Sequence, residues 1–221
     1  DVSPLQIQGP KAKNVVRTLF GDAVTKLRYY WFMETQLDGI PVVVTRTGWS
    51  GEVGYEVYLR DGSRGDELWE RIMDAGKPHH IRPTGPSDIR RIEAGILNWG
   101  TDMTLANNVY EIGLERLVDE GKRTNYIGRD ALKRIKDEGV KQRLVAIEIE
   151  GKPIEFNATQ WPVHAGHDVV GRVTSAIWSP RLKKNIGYAM LPAAHVAPGT
   201  ALSVALPGAP ERKAVVVSMP F

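Results

Sequence analysis

The stretch Arg46-Thr47-Gly48-Trp49-Ser50-Gly51-Glu52-Val53-Gly54-Tyr55-Glu56-Val57-Tyr58 concentrates side chains suited to holding a flat polar molecule. A Trp and two Tyr offer aromatic surface, and Glu56 stands two places before the last Tyr. Side chains two apart on a strand share a face, so Glu56 and Tyr58 can reach one ligand. A carboxylate accepts two hydrogen bonds side by side, which matches an amino-pyrimidinone edge. Two readings are open on these residues alone. Trp49 and Tyr58 line a pocket wall beside Glu56, or the stretch is a β-hairpin with ordinary core aromatics.

Other stretches carry weaker chemistry. In Asp88-Ile89-Arg90-Arg91-Ile92-Glu93, one of Arg91 and Glu93 can face a ligand, or the segment is a solvated helix face with Arg90 and Glu93 paired three apart. Asn98-Trp99-Gly100-Thr101-Asp102-Met103 reads as a loop in which a Trp beside a Gly suits close approach of backbone to a ligand. His79-His80 and His164-x-x-His167 have only the look of metal spacing, with no third ligand evident, so no metal is expected. No G-x-S-x-G elbow and no phosphate loop is present.

The elements that must position these residues follow from periodicity. After a strand at Leu5–Gln8, Pro10 is placed to open a helix with Ala12, Val15, Val16, Leu19 and Phe20 inward, closed by Gly21. Residues 27–37 read as aromatic and extended. Asp38-Gly39 signals a hairpin turn. Ile40–Thr45 is a β-branched run whose Pro41 favours an edge or strand-initial place. Residues 52–59 form the next strand. Residues 66–75 make an amphipathic helix with Leu68, Trp69, Ile72 and Met73 inward. Another helix opens at Pro86 with Ile89, Ile92 and Ile96 on one face. Residues 97–127 look irregular, and residues 130–138 form a short helix ended by Gly139. Beyond that point short strands punctuated by Gly and Pro suit a small barrel or sandwich. The expected architecture is α+β, with an α+β domain over residues 1–139 and an all-β barrel domain over residues 140–221.

Composition narrows the function. The chain has 221 residues, 42% hydrophobic and 25% charged, ordinary for a globular protein with a sizeable core. The net charge is only +3, and basic residues interleave with acidic ones, so no nucleic-acid partner is expected. No apolar run is long enough to span a membrane, and a membrane partner is not expected either. With no cysteine, disulfides, thiolate catalysis and Cys-ligated clusters are excluded. That composition fits a reducing compartment, and the cytoplasm is the expected location. Asp1 leads almost at once into a strand, so the chain is expected to begin inside a longer sequence.

Taken in order, the motifs resemble the glycine-cleavage T-protein (aminomethyltransferase) family. Leu5-x-Ile7-Gln8-Gly9-Pro10-Lys11-Ala12 is similar to its "vQGPkA" and Arg46–Glu56 to its "RTGYTGEdGfE". Arg91-Ile92-Glu93-Ala94-Gly95 matches "RlEaG", and Trp99–Met103 looks like "yGnDi". Tyr126–Leu132 resembles "fiGkeaL", and Val173-Thr174-Ser175 with Ser179–Ile186 resembles "vTSg..SPtLkknia". The resemblance covers essentially the whole chain.

It implies a tetrahydrofolate-dependent one-carbon transferase acting on a small molecule. By resemblance, Glu56 binds the pterin edge, Trp49 and Tyr29 line the folate channel, and Tyr58 and Arg91 complete the cofactor site. Trp31, Tyr30 and Trp178 are the expected substrate contacts. The family's transfer aspartate falls upstream of Asp1, so the catalytic residue is not named. Two departures bear on the donor. The family's Tyr is Trp49 here, and Ser87 stands where the T-protein carries an Arg. Together with Tyr58 these look closer to the dimethylsulfoniopropionate demethylase branch than to a T-protein served by a lipoylated carrier protein. The folate-binding half of a dimethylglycine or sarcosine dehydrogenase is a further alternative. The iron–sulfur assembly branch ranks low, because its motif Cys has no counterpart at Asn125–Asp130.

Overall fold

The computed structural model describes residues 4–119, 121–122 and 124–221. The chain packs as two compact units, Asp1–Ser87 and Asp88–Phe221. The boundary expected from sequence near residue 140 lies just ahead of the first barrel strand, which begins at Gln142.

In the first unit, strands β1 (Pro4–Gln8), β2 (Phe32–Leu37), β3 (Ile40–Thr45) and β4 (Gly54–Leu59) form an antiparallel sheet in the order β1-β4-β3-β2. Alternation divides its faces cleanly. Ile7, Leu37, Ile40, Val42, Val44, Tyr55, Val57 and Leu59 are buried together. Against them pack α1 (Ala12–Phe20), through Val15 and Val16, and α2 (Gly65–Gly76), through Leu68 and Ile72. Gly21 closes α1 with φ 79. Trp69 departs from its expected inward place and is 42% exposed, because the buried stripe of α2 runs through Leu68, Ile72 and Gly76.

Asp38 and Gly39 both take positive φ (48 and 79), the two-residue turn whose twist matches that of the strands it joins. Pro41 proves strand-initial rather than edge, since β3 lies between β4 and β2. The extended run expected over 27–37 narrows to Phe32–Leu37. Tyr30 turns the backbone with φ 67, yet Tyr30 N–H still donates to Arg46 O and Arg46 N–H to Trp31 O, so the ladder continues past the strand ends.

In the second unit, β5 (Gln142–Ile149), β6 (Trp161–Ala165), β7 (Asp168–Ser179), β8 (Lys184–Pro192), β9 (Ala201–Val204) and β10 (Arg212–Val217) close a barrel in the order β10-β5-β8-β7-β6-β9, every neighbour antiparallel. Ile147, Val163, Val173, Ala189, Leu191, Val204 and Val216 fill its interior. Outside it, α3 (Asp88–Glu93) packs on β7 and β8, and Ile92 joins Leu144, Ile186, Tyr188 and Met190 in a second core. This explains why β8 is buried on both faces. The helix expected to reach Ile96 stops at Glu93, and Gly95 turns the chain at φ 75. The described residues of 97–127 are irregular apart from one short 3-10 turn at Glu115–Leu117. A last helix, α4 (Arg129–Glu138), ends at Gly139.

Candidate functional site

Glu56 lies on the sheet face opposite α1 and α2, the face to which alternation also assigns Tyr58, Gln6 and Thr45. Its neighbours across the ladder are Gln6 on β1 and Thr45 on β3, and Phe32 on β2 pairs with Thr45 in turn. Among the described residues, three donors converge on the carboxylate. Gln6 Nε2 donates to Oε1 at 2.8 Å. Thr47 Oγ1 at 2.6 Å and Tyr58 OH at 2.9 Å both donate to Oε2. The Thr45 and Thr47 hydroxyls are bonded to each other. Because Thr47 spends its one proton on Glu56, Thr45 is the donor in that pair. A carboxylate offers about four lone-pair directions, so roughly one, on Oε1, lies beyond the internal network. The hydrogen bond to Glu56, and secondarily burial, hold the Tyr58 hydroxyl above its ordinary pKa, so it persists as a donor.

The loop at 46–53 carries the aromatic wall. Arg46 Nη1 donates to Gly54 O at 2.9 Å, and its guanidinium lies 5.7 Å from the Tyr29 ring centre and 5.2 Å from that of Tyr55. Tyr29 and Tyr30 pack in a tilted arrangement, with centroids 4.2 Å apart and ring planes at 51°. Burial, and then Tyr30, push the Tyr29 hydroxyl up. Tyr29, Tyr30, Trp31 and Phe32 are all more than half exposed, an unusual run of open aromatic surface. The guanidinium of Arg28 lies 5.1 Å from the Trp31 ring centre. Trp49 is half-buried in the same loop.

Thus Tyr29, Tyr30, Trp31, Trp49, Glu56 and Tyr58 belong to one unit, while Arg91 and Trp178 belong to the other. Arg91 is not placed as a cofactor contact. It is fully buried, and its guanidinium donates to Asp88 at 2.6 Å, Asp102 at 2.8 Å and Ser175 at 2.9 Å. Asp102, also buried, accepts from Arg91, the Asn98 N–H, Thr174 Oγ1 at 2.7 Å and Ser175 Oγ at 2.6 Å. Consecutive strand residues normally face opposite ways. Here a bulge between Val173 and Ser175 lets both hydroxyls reach one carboxylate. Tyr188 OH donates to Ile92 O at 3.0 Å, and burial pushes its pKa far up. This is a structural network joining α3 to the barrel wall. Glu93 gives its carboxylate to Ser179 and Arg181. Trp178 is half-buried on β7.

Sequence reasoning left Gln6, Thr45, Thr47 and Asp102 without roles. Gln6 meets Glu56 across fifty positions of chain, a contact that no local pattern announces. His164 sits in β6 with Nδ1 2.6 Å from Glu211. Among the described residues no group of three or more His, Asp and Glu side chains is placed to hold a metal ion, and no helix is long and apolar enough to cross a membrane.

Residues 1–122 match the GCVT N-terminal domain, and residues 142–221 match the glycine cleavage T-protein C-terminal barrel domain. The chain belongs to the glycine cleavage T-protein family. It is 36% identical over 207 residues to the dimethylsulfoniopropionate demethylase DmdA of Ruegeria pomeroyi, covering 94% of this chain and 56% of that protein. It is 33% identical over 226 residues to an aminomethyltransferase of Thermoanaerobacter pseudethanolicus, covering 100% of this chain and 60% of that one. The fold matches the crystal structure of glycine cleavage system aminomethyltransferase T from Bartonella henselae, with a TM-score of 0.86 at 23% identity over 100% of this chain and 59% of that one. The chain therefore spans less than two thirds of the length of these relatives. The family assignment agrees with the α+β unit and terminal barrel expected from the motifs.

Proposed function

We propose that the Glu56 face binds the pterin edge of tetrahydrofolate and that the protein passes a one-carbon group to that cofactor. The observation that carries this reading is the Glu56 carboxylate, fixed by Gln6, Thr47 and Tyr58 beside a run of open aromatics. The residues fit the group. Oε1 has a direction to spare, and the exposed Gln6 side chain can give way to a ligand N–H. A fork across both oxygens also needs Tyr58 or Thr47 to turn aside from Oε2. Tyr29 and Trp49 supply flat surface for the ring system. When bound, tetrahydrofolate would supply the nitrogen that accepts the carbon.

The donor we infer is a small cationic methyl donor of the dimethylsulfoniopropionate kind. Trp49 and Ser87, the two departures from the T-protein pattern, support it. A sulfonium is drawn to aromatic faces by cation–π attraction. Arg46 already lies against Tyr29, and Arg28 against Trp31. Two like charges on one ring face disfavour each other, so Tyr30 and Tyr58 are the rings assigned to the donor, and Trp31 is withdrawn from that role. Binding at these rings would contribute mainly proximity and orientation, since a sulfonium is already a good leaving group. The aminomethyltransferase among the relatives is nearly as similar as the demethylase. That keeps a second reading, in which the same Glu56 site serves an aminomethyl group delivered on a lipoylated carrier protein.

The test is an assay of the whole protein with tetrahydrofolate and dimethylsulfoniopropionate. The expected result is 5-methyltetrahydrofolate with the matching thioether. No product here, together with turnover of an aminomethylated lipoyl carrier, would replace the first reading by the second.

A further inference from the structure

Gln8 stands on β1 directly opposite Gly54 on β4. Its amide enters the loop that precedes Glu56. Ser50 Oγ donates to Gln8 Oε1 at 2.6 Å, and Gln8 Nε2 approaches Thr47 O at 3.5 Å. A carbonyl can only accept, so the NH2 must face Thr47, which leaves the oxygen for the serine. A Cβ added at Gly48 or at Gly54 would run into this amide. Neither glycine has positive φ, so backbone conformation does not demand glycine at either place. The Gln8 amide, in its present place, occupies the space a Cβ would need at each. Two further bonds brace the same loop end, Gly9 N–H to Val53 O and Arg46 Nη1 to Gly54 O, both at 2.9 Å.

We propose that Gln8 is a positioning residue for Glu56: its amide pins the Thr47 segment so that the Thr47 hydroxyl meets the carboxylate, and Gly48 and Gly54 are the clearance it requires. The chain of contacts runs Gln8 to Thr47, and Thr47 to Glu56 at 2.6 Å. Gln8 itself is kept from Glu56 by two residues along β1, where Gln6 holds the facing place. Its effect on a ligand is therefore transmitted entirely through the loop.

The proposal rests on the folate reading for its ligand, so the experiment has one arm that needs no ligand. In the whole protein, Gln8→Ala, Thr47→Val and their double variant are titrated with tetrahydrofolate, alone and in a Glu56→Ala background. Gln8→Ala is expected to weaken binding by about tenfold, the scale of one hydrogen bond. The double variant should be no worse than the poorer single one, and the effect should vanish once Glu56 is gone. Effects that multiply, or that persist without Glu56, would overturn the proposal. The second arm follows the Tyr58 ionisation by ultraviolet absorbance, as the difference from Tyr58→Phe. In Gln8→Ala the Tyr58 midpoint should fall toward that of an ordinary tyrosine as the carboxylate loses its fixed place. An unmoved midpoint would overturn the proposal even if folate never binds. Wild-type protein that binds no folate while the midpoint shifts would refute the folate reading and leave the positioning role standing. A clearance test covers misfolding: Gly48→Ala should destabilise the wild type and be tolerated in Gln8→Ala, and equal destabilisation in both would count against the fit.

Discussion

Tyr58 couples ionisation to geometry at the level of single residues. Its hydroxyl donates to Glu56, and a hydrogen bond to a carboxylate favours the protonated phenol. The folded-state pKa is raised, so its contribution to stability is present below the ordinary tyrosine value and lost as pH rises through the raised one. Glu56→Gln removes the charge that holds the proton. The Tyr58 midpoint should then move down, as read by alkaline absorbance titration against Tyr58→Phe. A midpoint indifferent to Glu56 would contradict the hydrogen bond. Tyr188 behaves in the same sense for a different reason, burial. The unfolded chain ionises at about pH 10 while the folded chain keeps the proton, so stability should fall by about 1.4 kcal/mol per pH unit above that point on account of this one group. Denaturant melts of Tyr188→Phe across pH 9–11 should show a shallower decline than the wild type.

A single bulge in β7 is what makes the buried network of the second unit possible among its elements. It turns Thr174 and Ser175 to the same carboxylate, and Arg91 on α3 supplies the cation. Arg91→Met would leave Asp102 buried without its partner, at a cost of about 3–5 kcal/mol in denaturant unfolding. A loss below about 1 kcal/mol would show that the pair is dispensable. In the first unit the Asp38-Gly39 turn was legible as two letters of sequence, and so was the core face of β4, because period-two alternation and turn chemistry are local. The same alternation put Glu56 and Tyr58 on one face. What stayed hidden was non-local. Gln6 and Gln8 acquire their roles only when β1 pairs with β4, and Arg91, expected from its motif at the cofactor, shows its structural role only once the bulge brings Ser175 to it. The aromatic run 29–32 was visible, but the arginines that cover two of its rings were not. Arg28 and Arg46 lie against those rings through the turn at Tyr30 and the Tyr30–Arg46 pairing.

At the scale of the whole molecule, the chemistry divides between the two units. The first carries the carboxylate, its donors and the open aromatics. The second is a closed barrel whose buried charges are spent internally on α3. Membership of the glycine cleavage T-protein family accounts for the barrel at residues 142–221 and for its place after the GCVT N-terminal domain. The most direct test of the account is calorimetric titration of tetrahydrofolate into the whole protein, wild type against Glu56→Ala. The account predicts weaker binding by about 2–3 kcal/mol, the scale of hydrogen bonds to a charged group. Equal affinity in a folded Glu56→Ala protein would contradict it.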